Sequence, residues 1–302
     1  MFWFNVGNCE IARVLETEEP FMLAHEMFED ATPEIIAPYL GDLGRNGICP
    51  QTGKLILPIQ SYVIRSPRHM VLVDSCVGND KSHSYFPQWH KRSDQTYLSN
   101  MSALGVSPAD IDYVLCTHLH VDHSGWNTRL ENGRWVPTFP NAKYVLSKLE
   151  CEYAERLSQE GKDTTFDENV LPLIEASQAL LVDMDHQIDD QLWLVPTPGH
   201  TPGHVAVHLR SAGAEAVITG DLIHSPLQCR HPEWNFVFDG DKAVAQKTRK
   251  NFLETYSESG AVILASHFPS PSTGYFRAHG PAFRFEYEDF SDRSSTPPGR
   301  IR

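Results

Sequence analysis

Four side chains able to hold a metal ion fall within six residues of one another in Thr117-His118-Leu119-His120-Val121-Asp122-His123-Ser124-Gly125-Trp126. Ahead of them, Ile111-Asp112-Tyr113-Val114-Leu115-Cys116 is mostly apolar and β-favouring, and reads as a buried strand. A strand that stops at Thr117 puts the four on a loop held by a rigid sheet. Imidazole and carboxylate are donors that a borderline cation such as Zn²⁺ accepts. In an extended loop His118 and His120 point the same way, because side chains alternate with period two. Asp122 and His123 are adjacent, diverge, and suit a second ion. The same residues would also make a polar turn with surface histidines. The full His-X-His-X-Asp-His spacing directly after a strand favours metal.

Later strands end in the same manner. Residues 192–195 run into Pro196-Thr197-Pro198-Gly199-His200-Thr201-Pro202-Gly203-His204, whose two glycines and three prolines specify a tight turn able to hold one histidine. Residues 216–219 end in Gly220-Asp221, and 261–265 in Ser266-His267. Each has a plain reading as a turn. Their recurrence, one potential ligand per strand end, is not what turns alone produce. Residues 70–74 form another strand and leave Asp74 at its C-terminal end, where open α/β sheets build their sites. There Asp74 serves better as a prop for the histidine loop than as a ligand.

Around these the chain alternates strands (56–65, 133–137, 142–147, 180–183, 205–209) with helices (34–39, 94–104, 148–159, 166–176, 243–256). Residues 6–16 and 21–29 are amphipathic, joined by the acidic turn Glu16-Thr17-Glu18-Glu19-Pro20. Residues 261–265 read as the last strand of the core, and the Ser-, Pro- and Arg-rich tail 291–302 as disordered. No linker or repeat divides the chain. We expect one domain over 1–290, with 1–54 as an N-terminal extension covering the site.

Charge and cysteines narrow the partners. With 25 basic and 39 acidic residues the formal net charge is −14, which disfavours nucleic acid and anionic membrane surfaces. No apolar run is long enough to span a membrane and the start lacks a signal peptide's basic region. Six scattered cysteines without a C-x-x-C pair fit reduced thiols in the cytoplasm, with Cys116 in the core. A small-molecule substrate is the expected partner, and a homodimer is compatible with the sequence.

Taken together, the four motifs resemble the metallo-β-lactamase superfamily, over residues 55 to 270 and in family order. That resemblance implies an α/β, αββα four-layer sandwich. It implies one ion on His118, His120 and His200, a second on Asp122, His123 and His267, and Asp221 bridging the two. His204 matches a position that is usually structural, and Asp74 the aspartate that props the ligand loop. Gly125-Trp126-Asn127, Gly133-Arg134-Trp135-Val136-Pro137 and Gly220-Asp221-Leu222-Ile223-His224 are similar to the bacterial lactonase and organophosphate-hydrolase side of the family. Quorum-quenching lactonases usually carry a tyrosine shortly after the bridging aspartate; this chain reads Leu222-Ile223-His224-Ser225 there.

The expectation is therefore a dinuclear zinc hydrolase of lactones or esters, with Mn, Co or Fe as other admissible metals. Two cations about 3.5–4 Å apart bring the pKa of a shared water from about 15.7 to near neutrality, and the resulting hydroxide attacks a carbonyl. Asp122 and Asp221 join the chemistry, Asp221 passing a proton to the leaving group, and His224 orients substrate or delivers a proton. Alternatives are lactam, amide or organophosphate hydrolysis on the same site, or a mononuclear iron oxygenase. Retention of His120, Asp122, His123 and His267 together argues for two metals and hydrolysis over the oxygenase, and the charge argues against a nuclease. For the substrate pocket the expected walls are Phe21, Met22, Phe28, Trp126, Trp234 and Phe268, with His231 as a polar handle and no lysine.

Overall fold

The computed structural model describes residues 2–44, 46–83 and 85–293. In chain order the strands are β1 (Trp3–Val6), β2 (Cys9–Pro20), β3 (Ile56–Arg65), β4 (Met70–Val73) and β5 (Tyr113–Leu115). A separate hairpin, β6 (Thr128–Glu131) and β7 (Arg134–Pro137), precedes β8 (Lys143–Ser147) and β9 (Ala179–Val182). There follow β10 (Leu192–Pro196), β11 (Val205–Ser211), β12 (Ala214–Ile218), β13 (Val262–Leu264), β14 (Thr273–His279) and β15 (Ala282–Tyr287). One sheet has the order β1-β2-β3-β4-β5-β8-β9 and the other β10-β11-β12-β13-β14-β15.

Alternation along these strands decides the layers. Tyr62, Ile64, Val71, Val73, Leu115 and Val145 of the first sheet share one buried cluster with Leu194, Val205, Val207, Ile218 and Leu264 of the second. Their strand neighbours Val63, Leu72, Val114 and Leu146 turn the other way. They meet Tyr97 and Met101 of the Thr96–Ala103 helix and Cys151 and Ala154 of the Lys148–Gln159 helix. Beyond the second sheet, Ala206, Val217 and Ile263 lie on Phe252 and Leu253 of the Lys242–Tyr256 helix. The result is helix, sheet, sheet, helix, an αββα sandwich. Each such Val, Leu, Ile, Met or Phe side chain contributes about 1.5–3 kcal/mol by leaving water.

β4, β5, β8 and β9 run parallel, as do β12 and β13. Asp74, the histidine loop, Asp221 and His267 directly follow β4, β5, β12 and β13, and the strand ends bring them to one rim of the sandwich. Open α/β sheets bind ligands at such a rim.

Several expectations from sequence need correction. Glu16 to Pro20 is no turn: β2 runs unbroken through it, with a register shift between Leu15 and Thr17. The bulge turns Glu16 inward, where its carboxylate accepts hydrogen bonds from the Val77 and Gly78 N–H groups and the Trp126 indole. So β1 and β2, inside the expected N-terminal extension, are integral to the first sheet. The core also extends past 265, since β14 and β15 close the second sheet. The helix expected over 34–39 is a helical turn, Pro33–Ile36, running on into a 3₁₀ segment, Ala37–Leu43. Of the expected tail, Ser291 to Arg293 end a short 3₁₀ turn, Phe290–Arg293, and 294–302 lie outside the described residues. All six cysteines are buried and free. Among the described residues no helix is long and apolar enough to cross a membrane.

Candidate metal centre

The loop after β5 bends at Thr117, is extended at His120 and then closes into one helical turn, Val121–Ser124, rather than remaining extended throughout. That turn converges Asp122 and His123 instead of splaying them: Asp122 Oδ2 lies 3.6 Å from His123 Nε2. Two groups of ligand atoms result, His118, His120, His200 and Asp221 in one, Asp122, His123 and His267 in the other. Asp221 stands between them. Its Oδ2 lies 3.3 Å from His200 Nε2 and 3.6 Å from His118 Nε2, and its Oδ1 lies 3.0 Å from both His123 Nε2 and His267 Nε2.

The outward nitrogens fix the inward ones. His123 Nδ1 lies 2.9 Å from Asp74 Oδ2, His200 Nδ1 3.0 Å from Asp239 Oδ1, and His267 Nδ1 2.9 Å from the Pro58 carbonyl. Carboxylates and carbonyls only accept, so each Nδ1 carries a proton, and in the neutral ring each Nε2 turns a lone pair inward, free for a metal ion or a second proton. There two acceptors meet, His123 Nε2 lying 3.1 Å from His267 Nε2, while His200 Nε2 lies 2.9 Å from His120 Nδ1, which donates to it in the Nδ1–H tautomer. His118 Nε2 has no hydrogen-bond partner, and Asp221 Oδ1, although near two rings, has no N–H aligned on it. Lone pairs facing lone pairs around a buried carboxylate repel unless cations lie among them. The donor set, imidazole and carboxylate, fits divalent ions of the zinc type.

Electrostatics express the same demand for positive charge, which protons meet where no metal ion is bound. Burial holds the His118 and His120 pKa values well below the ordinary histidine range, helped by the neighbouring histidines. Burial opposes charge on His123 too, yet Asp221, Asp122 and Asp74 raise it well above that range. His200, buried but flanked by Asp221 and Asp239, rises to about 9. Burial disfavours a charged Asp221, but the surrounding histidines hold it well below the usual carboxylate range.

Asp74, with a left-handed φ of 59° at the end of β4, accepts from the Thr117 N–H at 2.7 Å as well as from His123, and belongs to neither ligand group. Asp239 does the same for His200, and the sequence offered no sign of it: it lies in an irregular segment before the Lys242–Tyr256 helix. His204 faces away from the cluster's centre. Its Nε2 accepts the Asp221 N–H at 2.8 Å, and a Cβ on Gly220 would come within 2.5 Å of that nitrogen. His224 Nε2 lies 3.1 Å from Asp221 Oδ2, while its ring stacks on Phe236 at 3.7 Å.

A cavity of about 630 Å³ opens above the cluster, with His120, Asp122, His200, Asp221, His224 and His267 on its floor. Phe21, Phe86, Trp89, Phe236 and Phe238, in mutual ring contact, form an aromatic wall, and His83, His90, Lys162 and Asp163 also line the cavity. Of the expected wall residues only Phe21 is there. Trp126 is spent on Glu16, Phe28 stacks on Trp234, Phe268 meets Phe285 edge-on in the outer core, and His231 stacks on Trp234 at 4.0 Å. Met22 is packed against the core outside the lining. Lys162, at the mouth, contradicts the expected lack of lysine, although its ammonium is exposed and paired with Glu160.

Comparisons with known proteins agree with the geometry. Residues 56–267 match the family model of the metallo-beta-lactamase superfamily. The N-acyl homoserine lactonase AttM of Azorhizobium caulinodans is 30% identical over 251 residues, 74% of this chain and 87% of that protein. AttM of Agrobacterium fabrum is 33% identical over 242 residues, 74% of this chain and 86% of that one. In three dimensions the chain resembles AidC, a dizinc quorum-quenching lactonase (TM-score 0.76, 21% identical, covering 95% of this chain and 97% of that one). It also resembles the hydrolase AbOPH (TM-score 0.77, 24% identical, 95% and 98%). The chain is a metal-dependent hydrolase of the metallo-beta-lactamase superfamily, in its lactonase-like branch.

Proposed function

We propose that this protein hydrolyses lactones or activated esters at a pair of divalent ions, zinc in the first instance. His118, His120 and His200 would hold one ion, Asp122, His123 and His267 the other, and Asp221 both. The observation that carries this reading is Asp221, whose two oxygens face different ligand groups, each oxygen within 3.0–3.6 Å of two imidazole nitrogens. Bound ions would polarise a carbonyl and acidify a water.

The chain's own residues would do the rest. His224, on the cavity floor and 3.1 Å from Asp221, lies in the segment after that aspartate, which carries no tyrosine here, and is suited to hold the substrate's carbonyl end or hand a proton to the departing oxygen. Burial brings its pKa down to about 4, so near neutrality it is an uncharged imidazole that can both accept and donate. Asp221 is the proton's other station. The aromatic wall would take the apolar part of the substrate and keep water from it, and the cavity volume falls in the range of small-molecule sites.

The lactonase relatives support this substrate class, and the net charge of −14 supports neutral over strongly anionic substrates. Residues 1–290 are read as one domain, because β1 and β2 complete the sheet that carries the ligand loop. The test is a panel of lactones, aryl esters, phosphotriesters and phosphodiesters on the zinc-loaded protein. Lactones or aryl esters should turn over fastest; faster phosphodiester or nucleic-acid cleavage would overturn the substrate assignment.

A further inference from the structure

Two loops that carry the first ligand group meet on a carboxylate outside it. Glu150, in the first turn of the Lys148–Gln159 helix, is 2% exposed. Its Oε1 accepts the Leu119 N–H at 3.2 Å and its Oε2 the Gly203 N–H at 3.0 Å. Leu119 lies between His118 and His120, and Gly203 lies in the turn that presents His200. One side chain thus ties together the backbones that place three of the four residues in that group. None of its hydrogen bonds reaches the segment of Asp122 and His123, or that of His267.

The approach is close by construction. A Cβ on Gly203 would fall 2.4 Å from Glu150 N and 2.9 Å from its Cα, so only glycine lets the turn come this near the helix. An acidic residue in a helix's first turn ordinarily serves its own amides. Here both carboxylate oxygens are given to the two loops instead, in a place where an unpaired carboxylate would be costly. The same two loops are also joined by the Val205 N–H to the Thr117 carbonyl at 2.9 Å, and Glu150 adds a second tie at Leu119 and Gly203, beside the ligand positions themselves.

We propose that Glu150 is a positioning residue for one ion of the pair, setting the separation between His118/His120 and His200, and that it leaves the ion of Asp122, His123 and His267 alone. This rests on the two-ion reading above. Glu150→Gln keeps the shape but turns an amide N–H₂ toward a backbone N–H, so the two loops lose their shared anchor.

The test is a competitive chelator titration of metal-free parent and Glu150→Gln with zinc, followed by cobalt(II) absorption to tell the two sites apart. One binding step should weaken about 10–100-fold, as for other groups that orient ligands, and the second should not move. Glu150→Asp, which keeps the charge on a shorter arm, should fall between, and it carries the same comparison if Glu150→Gln fails to fold. Both steps unchanged, or both weakened alike, would overturn the proposal. A parent that takes up a single ion contradicts the two-ion reading; the role of Glu150 is then decided by that ion alone, and unchanged affinity in the variant rejects it.

Discussion

Asp74 Oδ2 sits 2.9 Å from His123 Nδ1 while its Oδ1 holds the Thr117 N–H at 2.7 Å, so one carboxylate sets both the start of the ligand loop and the tilt of a ring six residues on. Asp74→Asn keeps the size but offers one acceptor oxygen where two are used. We expect about 10–100-fold weaker metal binding or activity with the fold retained, as when other groups behind a metal ligand are removed. Metal content after dialysis, beside a far-UV spectrum, checks it. Undiminished metal affinity would show that the ring needs no such partner.

Asp239 should behave alike through His200. Its Oδ1 lies 3.0 Å from His200 Nδ1 and its Oδ2 accepts the Phe236 N–H at 2.9 Å, so it fixes the ring and the aromatic wall together. Asp239→Asn should lower metal affinity by a similar factor and also raise KM. A variant that loses kcat alone, with metal and KM as in the parent, would refute this double role.

Glu16 gives the protein a pH-dependent stability unrelated to catalysis. Burial raises its carboxyl from 4.5 to about 7, against the pull of Arg92 and its N–H donors. Between those two values the folded state binds the proton and the unfolded chain does not, so stability falls as pH rises through the window, by on the order of 3 kcal/mol. Below it the contribution is constant. Glu16→Gln removes the slope, so the parent's margin over the variant, from urea unfolding, should be larger at about pH 5 than at about pH 7.5. An equal margin at both would contradict the shift.

Phe28 and Phe238 separate core from cavity. Phe28 is fully buried between Trp234 and Phe236, and Phe28→Ala should cost about 3–5 kcal/mol of stability. Phe238, 46% exposed, lines the cavity, and Phe238→Ala should leave stability nearly unchanged while raising KM for substrates with a long or aromatic apolar part. Thermal melts and KM values for a short and a long lactone distinguish them; the reverse pattern would place the wall elsewhere.

These contrasts mark what a sequence can carry. Candidate ligands are legible because metal chemistry restricts residue type and strand ends restrict spacing; His118, His120, His200 and Asp221 stand out on both counts. Asp74 is legible for the same reason, at the end of an apolar strand. Asp239 is not, because it lies in a segment without periodicity and its partner is 39 residues away. Cavity walls are less legible still: Phe21 and Phe28 are alike in sequence, and only the chain's course puts one in the cavity and the other under Trp234. Glu16 looks like part of an acidic turn, and a single bulge in β2 makes it a buried anchor. The core as read from sequence stops at residue 265, and β14 and β15, which complete the second sheet, lie beyond the last candidate ligand and carry none of the site.

The central claim is that hydrolysis depends on two ions bridged by Asp221. The most direct measurement is metal content per chain, by elemental analysis, set beside lactone hydrolysis as the protein is stripped with a chelator and reloaded with zinc. The account predicts two ions per chain, activity lost on stripping and regained as the second equivalent binds, and His118→Ala poor in both metal and activity. Full lactone hydrolysis by metal-free protein, or a His118→Ala variant with the parent's metal content, would contradict it.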